Sequence, residues 1–157
     1  MVVLLHNIRS LHNVGSIFRT ADAAGIEKVY LCGITPSPLN RFGEVIGEIK
    51  KTALGAERFV AWEKVVSTAA TIKKLKKAGY QIVAIEQDKK SIPYYKLDSR
   101  LRGNDQLALV LGAEVGGLPK TILAKCDTIV EIPMAGKKES LNVAVAFGIV
   151  AFYVRYG

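Results

Sequence analysis

Three stretches of the chain hold polar residues and glycines in places where packing alone does not call for them. The first runs from His6 to Gly25, HNIRSLHNVGSIFRTADAAG, where a strand ends, a polar turn follows and a helix begins around Val14. Asn13 stands where an N-cap belongs, and the first turn of a helix offers backbone N–H groups to a phosphate or a carboxylate. Arg19, two turns in, is either a cation held ready for an anionic substrate or an exposed helix arginine paired with Asp22. Arg9 carries the same two readings. The second stretch, Leu107 to Lys120, reads LALVLGAEVGGLPK: a buried strand enters Gly112, Glu114 and Gly116-Gly117, and Pro119 suits the first position of a helix. Glycines at the carboxyl end of a strand let a ligand approach the backbone, and a tight strand-to-helix turn would use them as well. In the third stretch, Ile132 to Val150, a strand closes on Ile132-Pro133-Met134, a basic turn follows, and Ser140-Leu141-Asn142 opens an almost wholly apolar helix. Ser140 reads as the N-cap of that helix, whereas a buried or half-buried Asn142 calls for a specific hydrogen-bond partner. No GxGxxG follows the first strand and no GxxxxGK with Ser or Thr occurs, so neither a Rossmann dinucleotide site nor a Walker-type phosphate loop is indicated.

The elements that must hold these residues are short apolar runs rich in Val, Ile and Leu. Val2 to Leu5, Lys28 to Cys32, Arg58 to Ala61, Gln81 to Ile85, Leu107 to Leu111 and Thr128 to Ile132 are the strand candidates. Apolar on both faces and mostly separated by segments of helical periodicity, they specify an α/β fold, a mostly parallel sheet with helices on both faces. The clearest helix is predicted over Glu63 to Ala78, with Trp62, Val65, Ala69 and Ile72 as its inward stripe. Lys73, Lys74, Lys76 and Lys77 gather near its end, and Gly79 is its stop. Gln87 to Asn104, with Pro93, two tyrosines and a Gly103-Asn104-Asp105 turn signal, reads as an extended or irregular connection. Neither a repeat nor a linker divides the chain, so residues 1–157 read as a single domain.

The formal net charge of +8, from 22 Lys and Arg against 14 Asp and Glu, draws in polyanions such as RNA, DNA or an anionic membrane. A membrane-surface protein would carry an amphipathic basic helix with aromatic anchors, and none is evident. Cys32 and Cys126 are too far apart for a CxxC metal pair and too few for a disulfide framework. No metal is expected, and a reducing compartment, the cytoplasm, is. The opening MVVLL has no basic lead and no cleavage site and reads as a strand rather than a signal peptide. The uncharged run Val143 to Val154 is shorter than the roughly 20 residues that cross a bilayer and reads as a buried helix.

Taken together, the three stretches resemble the three sequence motifs of the SpoU (TrmH-like) branch of the SPOUT methyltransferases. The match runs from Asn13-Val14-Gly15-Ser16 through Arg19-Thr20-Ala21, from Leu111-Gly112-Ala113-Glu114 through Gly117-Leu118, and from Ile132-Pro133-Met134 through Ser140-Leu141-Asn142. Order and spacing agree across nearly the whole chain. The resemblance implies that the carboxyl-terminal part is threaded into a deep trefoil knot whose loops hold S-adenosylmethionine. Those loops are the ones around Ile85 and Glu86, from Leu111 to Gly117, and from Ile132 to Leu141. On that basis Ile85, Leu111, Gly112, Glu114, Gly117, Ile132, Met134, Ser140 and Leu141 are the cofactor-binding candidates.

The same resemblance implies methyl transfer to a ribose 2′-hydroxyl of RNA. Arg19, Asn13, Glu114, Ser140 and Asn142 are its catalytic candidates. Arg19 would position phosphate and ribose and stabilise developing negative charge, while the other four orient Arg19, the cofactor and the ribose. The resemblance further implies a homodimer through the knot region, each active site borrowing from the partner. The apolar helix from Leu141 to Tyr153 independently calls for cover on more than one side. These 157 residues hold no counterpart of the amino-terminal RNA-binding domain or long terminal helices of larger relatives. Recognition within this chain is therefore expected from Arg9, Arg19, Arg41, Lys50, Lys51, Lys137 and Lys138. tRNA is the expected substrate, with ribosomal RNA the alternative. A SPOUT protein that methylates a base nitrogen and an RNA-binding protein without catalysis are the competing readings; the Asn-to-Arg first motif and the SLN third motif favour the ribose.

Overall fold

Residues of alternating parity along each strand are buried in two different cores, because the sheet is covered on both faces. Val3, Leu5, Val29, Leu31, Val83, Leu109 and Leu111 belong to a cluster of 27 buried residues, while Val2, Leu4, Ile82, Ala84, Ala108 and Val110 belong to one of 13. The computed structural model describes residues 1–157 and contains seven strands. They are β1 (Val2–His6), β2 (Lys28–Cys32), β3 (Ala61–Val65), β4 (Gln81–Ile85), β5 (Ile92–Pro93), β6 (Leu107–Leu111) and β7 (Thr128–Glu131). They form one parallel sheet in the order β3-β2-β1-β6-β4-β7-β5.

The helices are α1 (Leu11–Ala23), α2 (Gly47–Ala53), α3 (Thr68–Lys77), α4 (Lys120–Leu123) and α5 (Val143–Tyr156). The buried faces of α1, α2 and α5 complete the larger core, and Ile72 and Leu75 of α3 with Ile122 and Leu123 of α4 complete the smaller one. Strands β1 and β6 lie side by side, yet the chain leaves them toward opposite faces, to α1 and to α4. A crevice therefore opens between their carboxyl ends, the position at which open α/β sheets take ligands.

Several expectations from the sequence need correction. Arg58 to Ala61 is not a strand: Ala56–Arg58 forms a single 3-10 turn and β3 follows at Ala61–Val65. The helix predicted from Glu63 begins only at Thr68, where the Ser67 hydroxyl caps it by accepting from the Ala70 N–H. Trp62 and Val65 are strand residues that pack on opposite cores, and their spacing from Ala69 and Ile72 imitates a helical stripe across an element boundary. Gly79, at φ +88°, does end the helix in the left-handed conformation. The Gln87–Asn104 connection is largely irregular as expected, but it contributes β5 and two 3-10 turns.

Helix α1 starts at Leu11 and is capped by Ser10, whose hydroxyl accepts from the Asn13 N–H. Asn13 sits one turn inside it. Helix α5 is capped by Asn142, whose side-chain oxygen accepts from the Ala144 N–H at 2.9 Å, and not by Ser140. Pro119 precedes α4 as its cap rather than standing at its first helical position. No helix is long and apolar enough to cross a membrane.

Candidate functional site

Strands β4, β6 and β7 end side by side, and the loops that leave them enclose a cavity of about 240 Å³. Ile85 lines it from the end of β4, and Leu111, Gly112, Glu114 and Gly117 from the end of β6 and the loop beyond. Ile132, Met134, Ser140 and Leu141 close the third side. All the positions expected to hold the cofactor thus face one space.

The loop after β6 takes its shape from two glycines. A Cβ on Gly112 would overlap the carbonyl carbon of Gly117 and stand 2.5 Å from the Leu118 nitrogen, so only a bare backbone lets the loop fold back on the strand end. Gly117 is at φ +59°, and a Cβ there would strike the Glu86 carboxylate. Glu86 fastens the loop by accepting from the Leu118 N–H at 2.8 Å and from the Gln87 N–H at 3.0 Å. Gln87, which sequence reasoning passed over as part of an irregular connection, donates its side-chain N–H to the Glu139 carbonyl at 2.7 Å and ties the end of β4 to the loop after β7. An isolated glutamine after a strand carries no signal of such a role.

The lining is chemically selective. Three carboxylates, those of Glu86, Glu114 and Glu131, border the cavity, and no Lys or Arg does. A phosphate-bearing nucleotide would meet like charge there, whereas a ligand with an apolar ring and a cationic centre would find aliphatic walls and opposite charge. S-adenosylmethionine, with an adenine and a sulfonium, has that chemistry.

The three motifs meet in a hydrogen-bonded chain beside this cavity. Asn13 donates its side-chain N–H to Glu114 Oε1 at 3.0 Å and accepts at Oδ1 from the Asn142 side chain at 3.0 Å. The partner that Asn142 called for is Asn13, and the buried amide is that of Asn13, 6% exposed, while Asn142 itself lies at the surface. Glu114 also accepts the backbone N–H groups of Arg9 and Ser10, each at 3.1 Å. The helix start that looked free for an outside anion is therefore occupied by a carboxylate of the same chain. Burial opposes ionisation of Glu114, but the hydrogen bonds from Asn13, from its own backbone and from the N–H groups of Arg9 and Ser10 outweigh it and hold its carboxyl below the usual range. With its oxygens so committed, Glu114 serves as a clamp between β6 and α1 rather than as a proton acceptor.

Two expected results follow. Asn142→Ala removes the α5 cap and leaves the buried Asn13 oxygen without its donor, which should destabilise the fold by about 1–3 kcal/mol in a denaturant titration. Because the folded Glu114 carboxyl lies below the ordinary value of about 4.3, its contribution is complete above that value and is lost as pH falls through the folded-state one. Glu114→Gln should accordingly lower Tm at neutral pH and converge on the wild type only once the pH has fallen below the depressed folded-state value. A gap of equal size at both ends would show that the clamp does not depend on ionisation.

Arg19 does not border this cavity. It lies exposed on α1 and, with Lys51 and Phe152, lines a separate open groove on the outer side of α1, α2 and α5. No ion pair joins it to Asp22. Lys50 and Lys51 share the last turn of α2, and the Arg41 guanidinium sits over the Phe42 ring at 4.7 Å. Arg9 lines the crevice at the β1 end, and Lys137 and Lys138 are exposed in the loop after β7. The basic candidates are thus spread over several faces and not gathered into one patch. Beside the Arg19 groove, α5 leaves Val145, Phe152 and Tyr156 at 51%, 42% and 71% exposure, so its far side is uncovered within one chain.

A parallel α/β sheet with a cation-favouring cavity at its strand ends, walled by loops from three neighbouring strands, defines a protein built to bind a small charged ligand of that chemistry. The chain belongs to the SpoU rRNA Methylase family, which it matches over residues 1–152. It is 34% identical over 151 residues to the 23S rRNA (guanosine-2'-O-)-methyltransferase RlmB of Escherichia coli (strain K12), covering 96% of this chain and 58% of that protein. The crystal structure of an AdoMet-bound rRNA methyltransferase from Sinorhizobium meliloti is similar with a TM-score of 0.85 at 31% identity, covering 98% of this chain and 54% of that one. A structure described for the 2-OH methylation of C/U34 on tRNA is similar with a TM-score of 0.75 at 27% identity, covering 97% of this chain and 91% of that one. The chain spans a little over half the length of the curated relatives it matches.

Proposed function

We propose that the protein transfers a methyl group from S-adenosylmethionine to a ribose 2′-hydroxyl of RNA, working as a homodimer in the cytoplasm. The observation that carries this reading is the convergence of all the cofactor candidates on one carboxylate-lined cavity, with Asn13, Glu114 and Asn142 hydrogen-bonded at its edge. Bound S-adenosylmethionine supplies an electrophilic methyl on a sulfonium. Ile85, Leu111, Ile132 and Leu141 would give the adenine an apolar seat, and Ser140 would offer its hydroxyl. Glu86 and Glu131 favour the positive sulfur. The 2′-hydroxyl is a weak nucleophile: as its oxygen forms the new O–C bond, the S–CH3 bond would break with its electron pair left on sulfur as a neutral thioether, and the hydroxyl must give up its proton. The part of Arg19 is to hold the adjoining phosphate and stabilise the forming alkoxide, the proton leaving to solvent.

Arg19 does not line the cavity of its own chain, and this supports the dimer. In this reading the uncovered face of α5 pairs with a second copy and brings the Arg19 groove of one protomer to the cavity of the other. The trefoil knot implied by the sequence motifs belongs to the same proposal, supported by the Gln87–Glu139 hydrogen bond that ties the β4 and β7 loops together. Residues 1–157 form, in the same reading, one methyltransferase domain. tRNA is the favoured substrate, supported by the likeness to the tRNA-methylation structure over almost the whole of that chain. Ribosomal RNA is the second reading, favoured by the RlmB relatives. Incubation with methyl-labelled S-adenosylmethionine and separate tRNA and rRNA pools, followed by nucleoside analysis, tests both. Label in 2′-O-methylnucleosides from tRNA is expected; label only in a methylated base, or none, would overturn the reaction.

A further inference from the structure

The crevice between β1 and β6 forms a second cavity, of about 740 Å³, which shares Ala113, Glu114 and Gly117 with the first. Most of its polar wall is already committed. The Asn7 side-chain oxygen accepts from the Ile34 N–H at 3.1 Å, which points its amide nitrogen, as donor, at His6 Nε2, 3.2 Å away. His6 therefore carries its proton on Nδ1 and donates to the Thr68 hydroxyl at 2.7 Å. Burial lowers its pKa, which keeps the ring neutral. These groups make a rigid floor with no charge of its own.

What remains free is of a different kind. The Arg9 side chain is exposed and its residue is engaged only through the backbone N–H. Ile34 and Val115, both on the rim, are 56% and 91% exposed, although neither apolar side chain gains anything from water. One uncommitted cation beside two aliphatic faces matches one phosphate beside one planar base. In a chain of net charge +8 the polyanion that offers such units in series is a nucleic acid.

We propose that this crevice seats the nucleotide that is methylated, with Ile34 and Val115 covering its base and Arg9 holding an adjoining phosphate. The inference rests on the proposed function. The shared wall of Ala113, Glu114 and Gly117 places this nucleotide one loop away from the methyl donor, where the Arg19 of a second copy is proposed to reach it.

The test is a comparison of Arg9→Ala, Ile34→Asp and Val115→Asp with Val66→Asp, an exposed apolar position at the β3 edge, in methyl transfer from labelled S-adenosylmethionine to bulk tRNA and rRNA. The three crevice variants should raise the KM for RNA by about ten-fold or more, with cofactor affinity by calorimetry within about two-fold of wild type. Arg9→Ala should also reduce the salt dependence of RNA binding by about one unit of slope. Unchanged KM in all three, or an equal rise in Val66→Asp, overturns the proposal. Amide NMR shifts on adding GMP, AMP, CMP or UMP to the wild-type chain give a readout independent of catalysis. Shifts centred on Ile34 and Val115 support the seat even if no methyl is transferred, in which case only the reaction falls; shifts absent there overturn the seat even if transfer is robust.

Discussion

Replacing Arg19 by alanine should lower methyl transfer to RNA by about 10²–10³-fold, the loss expected when one preorganised donor to a developing oxyanion is removed. Cofactor affinity should not change. Arg19 borders none of the cavity that Gly112 and Leu141 enclose, so its removal leaves that lining intact. Because the guanidinium is proposed to act on the site of the other protomer, mixing experiments separate the geometries. An Arg19→Ala chain retains a sound cavity, and a chain with a blocked cavity retains a sound arginine. Dimers formed from the two should recover part of the activity that each lacks alone. Failure to recover it, in dimers shown to have exchanged subunits, would remove the shared site. Full activity of Arg19→Ala by itself would remove the arginine from the mechanism.

The blocked chain is the second prediction. Gly112→Ala puts a methyl group into the carbonyl carbon of Gly117 and the Leu118 nitrogen, and backbone, unlike the tip of a flexible side chain, has little room to give. The loop must open away from the strand end. A destabilisation of about 1–3 kcal/mol is expected, the usual range for overpacking. A fall of about 100-fold or more in S-adenosylmethionine affinity should accompany it, equivalent to about 2.7 kcal/mol. Gly136→Ala is the control, since a Cβ at that position in the loop after β7 meets nothing within 4 Å. Equal cofactor affinity in the two variants would mean that the ligand does not use the Gly112 loop.

Much of this frame was legible in the residues. Strands β2, β4 and β6 have the bounds that their apolar runs suggested, because a strand buried on both faces is marked by continuous Val, Ile and Leu. Strand β3 was missed for the complementary reason. It is an edge strand with one neighbour, so Glu63 and Lys64 are tolerated within it, and the Arg58 to Ala61 run that read as a strand is a turn up to Val60 that enters β3 only at Ala61. The caps were misplaced by tertiary contacts that local rules cannot see. Asn13 is drawn inward by Glu114 and Asn142, so Ser10 caps α1; Asn142, anchored by Asn13, then caps α5 in place of Ser140. The cavity residues could be named from motifs because strand ends gather them. The basic residues could not be placed, because a surface charge carries no information about which face it occupies.

The pairing of β1 with β6 has a consequence for synthesis. During synthesis Val2 to Leu5 meet β2 within about thirty residues of chain, but their other neighbours, Ala108 to Leu111, emerge about a hundred residues after them. Until then a nascent β1-β2-β3 ribbon presents a bare hydrophobic margin, the kind of surface that recruits chaperones and wrong partners. Contacts so remote in order of translation make for slow maturation. Protein released prematurely at a stop codon before Leu107 should therefore accumulate as aggregate rather than as a smaller soluble fragment.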